Sequence, residues 1–167
     1  MESCNIRPTT DRVKEAIFSI IHFDVEGSVV LDLFSGSGQM GIEALSRGAS
    51  FGYFVDSSRE SCEVTRENIA SVGFQSNSKV ANMDSLEFLK STSNTFDLAI
   101  LDPPYSKGLL PKLLPLLEPK LSDRAKVVCE HEIGLKLPEA VGKLCLKKKY
   151  KYGKIEVTLY AAEGDDD

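Results

Sequence analysis

The four residues Asp102-Pro103-Pro104-Tyr105 follow a hydrophobic run that ends at Leu101. Two prolines fix the backbone and remove two N–H donors, so this diproline corner offers only acceptors, the Asp102 carboxylate and the Pro103 carbonyl. Such a pair suits the exocyclic amino group of a nucleobase, which carries two N–H donors, and Tyr105 offers a ring on which a base stacks. When the two acceptors hold both hydrogens of the amino group, they favour its pyramidal geometry. In that geometry the nitrogen lone pair is free to attack a methyl sulfonium. The bland alternative is a strand stopped by a common diproline turn.

A second stretch, Leu31 to Gly41, joins a buried strand to a helix through a turn rich in glycine. Gly36, Gly38 and Gly41 have the spacing G-x-G-x-x-G, and we call residues 34–41 the glycine turn. Glycines let the backbone approach a ligand closely because no Cβ atom intervenes. The spacing fits a dinucleotide site and fits S-adenosylmethionine equally well, and its bland alternative is a tight turn without a ligand.

Acidic residues at three predicted strand ends bear on that choice. Asp32 lies just before the glycine turn, where its carboxylate would repel a pyrophosphate but receive the ammonium of a methionine moiety. Asp56 lies twenty positions beyond Gly36, and its carboxylate can accept hydrogen bonds from ribose hydroxyls. Asp84 either accepts from an adenine amino group or caps the helix that begins at Ser85, and both roles are compatible. Asp32 therefore favours S-adenosylmethionine.

The elements that must position these residues alternate along the chain. Short apolar runs predict strands, and runs with apolar residues every three or four positions predict helices. The predicted strands are Val29–Phe34, Phe51–Val55, Lys79–Met83, Phe96–Leu101 and Ala125–Cys129, followed by a hairpin of Lys143–Tyr152 and Ile155–Tyr160 joined at Gly153. This alternation predicts an α/β fold of Rossmann-like topology, with a mostly parallel sheet, an antiparallel strand at its C-terminal end and helices on both faces.

The helices are predicted from spacing and from capping residues. An apolar stripe marks a helix over residues 13–21, and Ser57 with Glu60 has capping-box spacing for the helix that follows the second strand. A short helix is predicted over Ser85–Lys90 and a leucine-rich helix over Leu109–Leu121, interrupted by prolines. Apart from the first, each of these helices falls between two predicted strands, as a parallel sheet requires.

The composition indicates a globular protein. The chain has 167 residues, 42% of them hydrophobic and 27% charged, which predicts a single domain over residues 1–162 and an acidic tail over 163–167. No apolar run is long enough to span a membrane, and the first residues lack the apolar stretch of a signal peptide. Four scattered cysteines and two histidines have no metal-ligand spacing. These features predict a cytoplasmic monomer without a structural metal.

The charge is distributed unevenly along the chain. The net charge is −5, but residues 1–162 carry 20 basic and 21 acidic residues, and six lysines fall within residues 143–154. Lys147, Lys149 and Lys151, interleaved with tyrosines, either contact nucleic-acid phosphates or protect an edge hairpin from pairing with other strands.

The diproline corner resembles the [DNS]-P-P-[YF] motif of methyltransferases that modify amino groups of adenine, cytosine or guanine in nucleic acids. Four further stretches make the resemblance more specific. They are Arg7–Phe18, Leu31–Gly38, Glu43–Ala49 and Lys151–Lys154. Together they are similar to the RsmD-like family, bacterial methyltransferases that make N2-methylguanine in small-subunit ribosomal RNA. The similarity extends from about Arg7 to Tyr160.

The resemblance implies a seven-stranded class I methyltransferase sheet with S-adenosylmethionine as cofactor. The implied cofactor contacts are Asp32, Ser35, Gly36 and Gly38 at the methionine end, Asp56 at the ribose and Asp84 at the adenine, together with Phe34, Ser57 and Ser85. The diproline corner, Asp102, Pro103, Pro104 and Tyr105, would hold the target base. Arg7, Lys147, Lys149 and Lys151 would contact RNA, and the Arg7–Asp11 stretch would close over the cofactor or the base.

Other functions fit some of these features. The same chemistry on adenine N6 or cytosine N4 uses the same motif, so the target base is open. An NAD-dependent oxidoreductase would use the glycine turn but leaves the diproline corner unexplained. A non-catalytic RNA-binding scaffold would keep the fold alone. The expected partner is ribosomal RNA, either free or in the small-subunit particle.

Overall fold

The computed structural model describes residues 11–105 and 108–162 of the chain. Arg7, predicted to contact RNA, and the acidic tail over 163–167 lie outside these residues. The α-helices of the described part are α1 (Asp11–Ile20), α2 (Gln39–Ser46), α3 (Arg59–Ser71), α4 (Ser85–Ser91) and α5 (Leu110–Leu117). None of the helices in those two ranges combines the length and the apolar composition that crossing a bilayer requires.

The helices cover one mixed sheet. Its strands are β1 (Val29–Leu33), β2 (Phe51–Asp56), β3 (Ser78–Asn82), β4 (Phe96–Leu101), β5 (Leu121–Glu132), β6 (Ala140–Val141), β7 (Leu144–Tyr152) and β8 (Ile155–Ala162). Their order is β3-β2-β1-β4-β5-β8-β7-β6. The five strands from β3 to β5 are parallel, and β8, β7 and β6 continue the sheet in antiparallel pairs. The predicted Rossmann-like sheet with its antiparallel C-terminal hairpin is confirmed.

The predicted number of seven strands was wrong by one. The additional strand is β6, which pairs Ala140 with Cys145 and Val141 with Leu144 of β7. Two residues are too few for an alternating pattern, so no sequence signal marks this strand. The helix predicted over Leu109–Leu121 also ends earlier, at Leu117, and a 3-10 turn that contains Pro119 follows it.

The sheet buries apolar side chains on both faces because successive residues of a strand point to opposite sides. Val30 and Ile100 pack with α1, α2 and α3 on one side, which we call the α1 face. Leu31 and Leu101 pack with α4 and α5 on the other side, which we call the α5 face. This sandwich fixes the strands against one another and so fixes the loops that leave them.

The order of the strands reverses beside β1. The chain runs outward from β1 through β2 and β3, then returns to β4 and β5 on the other side of β1. Leu33 at the end of β1 pairs with Val55 on one side and with Leu101 on the other. Neighbouring strands lie about 4.8 Å apart. The glycine turn, Asp56 and the diproline corner therefore begin side by side at the carboxyl edge, where open α/β sheets bind ligands.

Candidate active site

The glycine turn is held against β2 by its own backbone. Phe34 has a φ of 72°, a left-handed conformation that costs a non-glycine residue about 1–3 kcal/mol. The N–H groups of Phe34 and Ser35 both donate to the carbonyl of Val55, each at 2.9 Å. Strain of this kind persists only where the surrounding structure over-determines the backbone, and it is concentrated at functional sites.

Gly41 allows α2 to pack directly on the sheet. A Cβ atom at this position would lie 2.4 Å from a ring carbon of Phe54, closer than real Cβ contacts allow. The Gly41 N–H also donates to Asp32 Oδ2 at 2.9 Å. The last glycine of the motif therefore places the first turns of α2 over the end of β1.

Helix α3 clamps the glycine turn from the other side. Thr65 Oγ1 donates to the carbonyl of Gly36 at 2.8 Å, and Asn68 Nδ2 donates to the carbonyl of Ser37 at 2.9 Å. Sequence reasoning missed both residues, because their partners lie about thirty positions away. Their spacing of three on one helix face is the signal that would have indicated a shared partner.

Asp56 connects the glycine turn to the start of α3. Its Oδ2 accepts from the Gly36 N–H and its Oδ1 from the Ser58 N–H, both at 2.9 Å. A carboxylate oxygen has two lone pairs, so each oxygen retains one acceptor site for a ribose hydroxyl. The residue predicted to bind the ribose thus also shapes the backbone beside it.

The capping residue of α3 differs from the prediction by one position. Ser58, not Ser57, is the N-cap, and its Oγ accepts from the Ser61 N–H at 3.1 Å. The predicted box of Ser57 and Glu60 fails because Asp56 binds the Ser58 N–H and shifts the start of the helix. Ser57 is left exposed at the carboxyl edge.

Asp84 fulfils the capping role that the sequence left open. It is the N-cap of α4, and its Oδ2 accepts from the N–H groups of Leu86 at 3.0 Å and Glu87 at 3.2 Å. Ser85 begins the helix and is buried, whereas Asp84 is exposed. Both residues follow β3, which lies two strands away from β1 in the sheet. The adenine of a cofactor bound at the glycine turn would extend in this direction.

Asp32 is a buried carboxyl group at the base of the glycine turn, with 3% of its surface exposed. Burial raises its pKa from 3.8 to about 7; the Gly41 hydrogen bond acts against this shift, and the charge of Asp56 adds to it. Ser35 Oγ is also buried and lacks a hydrogen-bond partner in the part of the chain that the structure describes. The ammonium of an amino acid would pair with the buried Asp32 carboxylate, and its carboxylate would accept a hydrogen bond from the buried Ser35 hydroxyl.

The diproline corner opens onto a small pocket between β4 and β5. Pro103 is buried, Pro104 is exposed, and Asp102 and Tyr105 are half-buried. All but Asp102 line the pocket, as do His131 and Glu132 at the end of β5. The structure thus brings the corner next to a strand end that the sequence did not single out.

His131 lies at that strand end with 1% of its surface exposed. Its Nδ1 donates to the Glu132 carbonyl at 2.9 Å, and its Nε2 lies 2.7 Å from Thr158 Oγ1 on β8. Both ring nitrogens are used within the protein, so His131 acts as a rigid wall of the pocket. The detectable signal was its position two residues after Cys129, where the predicted strand that became β5 ends.

The lysines of β7 divide between the two faces of the sheet. Lys151 pairs with Glu156, which pairs with His131, and Lys149 pairs with Thr158 in the adjacent row. Directly paired residues point to the same face, so Lys149 and Lys151 lie on the α5 face with His131. We call these two residues the lysine stripe. Two strand spacings separate β7 from β5, about 10 Å.

Lys147 and Lys148 are placed differently. The register shifts between Leu146 and Lys148, so Lys147 falls in a β-bulge. Lys148 is on the opposite face from the lysine stripe, and its Nζ lies 5.2 Å from the centre of the Tyr150 ring. The structure therefore brings Lys149 and Lys151, but not Lys148, onto the face of the pocket.

Metal binding and cysteine chemistry find no support in residues 11–105 and 108–162. That part of the chain holds no group of three or more His, Cys, Asp or Glu side chains placed to bind a metal ion. Cys62 and Cys129 are buried. Burial raises the pKa of the Cys129 thiol to about 12, so this thiol is not a nucleophile at neutral pH.

A separate pocket of about 270 Å³ lies between α4 and the outer strands β2 and β3. Tyr53, Lys79, Met83 and Phe88 are among its lining residues, and none of the predicted site residues lines it. The carboxyl edge remains the better candidate, because the strained turn, the buried carboxyl group and the donor-free corner all lie there.

Comparison with known proteins identifies relatives over most of the chain. The family model described as conserved hypothetical protein 95 matches residues 1–161. The YlbH protein of Bacillus subtilis (strain 168) is 37% identical over 163 residues, which cover 95% of this chain and 89% of the relative. Ribosomal RNA small subunit methyltransferase D of Escherichia coli (strain K12) is 32% identical over 170 residues, covering 99% and 85%. The solved structure of the Escherichia coli protein yhhF has a TM-score of 0.87 at 30% identity, covering 98% of this chain and 92% of that one.

Proposed function

Because the chain belongs to the RsmD-like family, described as conserved hypothetical protein 95, we propose that it methylates the N2 amino group of a guanine in small-subunit ribosomal RNA. The chain is an RNA methyltransferase that uses S-adenosylmethionine, as its relatives indicate. The proposal adds to this the target base and the residues of this chain that carry out the transfer.

One observation carries the assignment of the site. Leu33 of β1 pairs with Leu101 of β4, so the glycine turn and the diproline corner leave adjacent strands at the same edge. A cofactor held by the turn would present its reactive end to an amino group held by the corner. Bringing the two reactants together in this way accounts for much of the rate of a transfer that needs no strong base.

The residues of the glycine turn fit S-adenosylmethionine. When bound, the cofactor supplies a methyl group on a positively charged sulfonium. Asp32 would hold the ammonium of the amino-acid end, and the buried Ser35 Oγ would hydrogen-bond to that end as well. The free lone pairs of Asp56 would accept from the ribose hydroxyls, and the segment after Asp84 would lie along the adenine.

At the corner, the Asp102 carboxylate and the Pro103 carbonyl accept the two N–H groups of the target base. A base that enters this site must leave the stack of its RNA, and the ring of Tyr105 replaces the lost stacking, worth about 1–3 kcal/mol. Both acceptors lie on a backbone that the prolines hold rigid, so the amino group is held in place.

Methyl transfer to defined RNA tests the proposal. Small subunits and free ribosomal RNA from a strain lacking the gene would be incubated with the protein and methyl-labelled S-adenosylmethionine, and the nucleosides identified by mass spectrometry. We expect labelled N2-methylguanosine at one position, and comparing the two substrates shows whether the assembled particle is required. Label in N6-methyladenosine or N4-methylcytidine would overturn the base assignment, and the absence of label in both RNAs would favour a binding scaffold.

Calorimetry separates the cofactor alternatives. We expect S-adenosylhomocysteine to bind in the calorimeter and NADH not to bind, because Asp32 favours an ammonium and repels a pyrophosphate. Binding of NADH with comparable affinity would instead support the dinucleotide reading of the glycine turn.

The lysine stripe is proposed to bind RNA phosphates beside the pocket, together with Arg7 and Lys147. Replacing Lys149 and Lys151 by Glu is expected to weaken RNA binding about tenfold or more at 0.1 M salt. The slope of log K against log salt concentration should become shallower by about 1.5–2, because two phosphate contacts are lost. Filter binding over a series of salt concentrations measures both quantities.

Lys148→Glu is the matched control for this pair, since Lys148 lies on the same strand but on the α1 face. It should change the slope by much less than the double variant does. If the Lys149 and Lys151 variant keeps the wild-type slope, the lysines only protect the hairpin from pairing with other strands.

A further inference from the structure

We infer that Glu132 selects guanine at the diproline corner, by accepting the N1–H of the base while the corner holds its 2-amino group. The inference rests on the proposed function, because it concerns the base that the corner is proposed to bind. Glu132 ends β5, and no sequence pattern singles it out. Its role follows from register, exposure and the hydrogen-bonding pattern of the bases.

Register places Glu132 next to the corner and slightly beyond it. Leu101 pairs with Cys129, so Asp102 lies beside Glu130 and Glu132 lies two residues further along β5. One strand spacing across and two residues along separate the backbones of Asp102 and Glu132 by about 8 Å. That span accommodates the edge of a purine between two carboxylates.

The two carboxylates also share a face of the sheet. Val128 packs on the α1 face, so Glu132, four residues later on the same strand, belongs to that face. Ile100 packs there too, and extending its strand by two residues puts Asp102 on the same side. Both side chains therefore extend from one side of the sheet edge that bounds the corner.

The backbone of Glu132 is fixed while its carboxylate is available. Its carbonyl accepts from His131 Nδ1, and the same ring is held by Thr158. Glu132 is half-buried and borders the pocket that Pro103 and Tyr105 line, but its side chain lies on the α1 face with Asp102, not on the α5 face with His131. Within the two described ranges, no hydrogen bond or ion pair engages its carboxylate. A positioned acceptor beside the corner is thus left for a ligand.

The chemistry of the bases decides which ligand this acceptor favours. Guanine presents two neighbouring donors on its Watson–Crick edge, N1–H and the 2-amino group. Adenine and cytosine present an acceptor at the ring nitrogen next to their amino group, which a carboxylate repels. A site built to hydrogen-bond one donor discriminates strongly against an analogue that lacks it, by about 10²-fold or more. The Glu132 carboxylate would supply that discrimination.

Replacing one base at the target position tests this directly. Once the methylated position is mapped, small subunits would be reconstituted with guanine or with 2,6-diaminopurine there. Diaminopurine keeps the 2-amino group but carries an acceptor at N1 in place of N1–H. We expect the wild-type protein to prefer guanine by about 10²-fold in kcat/KM, and Glu132→Gln, whose amide can donate to N1, to reduce that preference to less than about fivefold.

Two further variants make the experiment decisive. Asp123→Asn makes the same chemical change at the exposed, opposite end of β5 and should keep the wild-type preference. Glu132→Ala removes the acceptor without adding a donor, so it should also lose the preference for guanine over diaminopurine. If Glu132→Gln fails to bind S-adenosylhomocysteine, the result with Glu132→Ala decides whether Glu132 selects guanine. An undiminished preference in the variants would overturn the role of Glu132 while N2-methylguanosine formation still upheld the proposed function. Methylation of adenine or cytosine alone would overturn both.

Discussion

Asp102→Ala is expected to lower kcat by about 10²–10³-fold, with the affinity for S-adenosylhomocysteine within about twofold of wild type. The carboxylate is proposed to hold the amino group at the moment of attack, so its loss removes an interaction used in the transfer itself. The cofactor is held by the adjacent strand, and that part of the site is untouched. Single-turnover methyl transfer to small subunits and calorimetric titration measure the two effects separately.

Asp102→Asn is the matched control, because the amide keeps one oxygen acceptor at the same position. It should retain more activity than Asp102→Ala, with a loss of about tenfold, because a neutral acceptor holds the amino group less strongly than a charged one. Wild-type turnover in Asp102→Ala would falsify the role of the corner. A parallel loss of turnover and cofactor affinity would show instead that Asp102 supports the fold of the edge.

The parts of the site that could be predicted from sequence are those built from consecutive residues. The diproline corner removes donors through the chemistry of proline alone, and the glycine turn follows from backbone freedom at Gly36 and Gly38. The predicted Rossmann-like strand order also implied that the two segments are adjacent. In that order the chain returns after the third strand, and the fourth strand lies beside the first. The structure adds the register, in which Leu33 and Leu101 pair.

Residues that act through distant partners could not be found in this way. Thr65 and Asn68 bind carbonyls of the glycine turn, and a helix pattern does not reveal which loop its polar residues meet. Glu132 gains its interest only from lying beside Asp102, which depends on strand pairing. Local capping rules also failed at Ser57, because Asp56 competes for the amide that starts α3.

The basic segment shows how one irregularity changes an assignment. Uninterrupted alternation would put Lys147, Lys149 and Lys151 on one face of β7. The bulge after Leu146 breaks this pattern, so only Lys149 and Lys151 are placed with the pocket by their partners on β8. Bulges depend on the fit between two strands, and a single strand's sequence does not encode them.

Asp32→Asn is expected to stabilise the protein at neutral pH. Burial raises the pKa of Asp32 from 3.8 to about 7, and each pH unit of such a shift corresponds to about 1.4 kcal/mol. The ionised carboxylate therefore costs the folded state about 4 kcal/mol above pH 7. An asparagine cannot ionise, yet its oxygen can still accept from the Gly41 N–H. The variant should unfold at a temperature about 10 °C higher than the wild type at pH 8.

The pH dependence of this gain has a definite sign. Below pH 3.8 the carboxyl group is protonated in both the folded and the unfolded chain, so the substitution brings no gain from ionisation. Between pH 3.8 and 7 the unfolded chain ionises first and the wild type loses relative stability, and above pH 7 the difference is constant. Thermal unfolding at pH 5 and pH 8 should therefore show a difference of about 1.5 kcal/mol and about 4 kcal/mol respectively. Asp123→Asn, at an exposed site, should show neither gain.

The same substitution is expected to weaken cofactor binding, because the charge that destabilises the free protein is the charge that holds the ligand's ammonium. The affinity of the wild type for S-adenosylhomocysteine should rise with pH up to about 7, as Asp32 ionises, and then level off. In Asp32→Asn the affinity should be at least about tenfold lower at pH 8 and should lose this pH dependence. A more stable variant that binds S-adenosylhomocysteine as well as the wild type would mean that Asp32 serves only the Gly41 amide. A loss of both stability and binding would mean that the substitution disrupts the glycine turn itself.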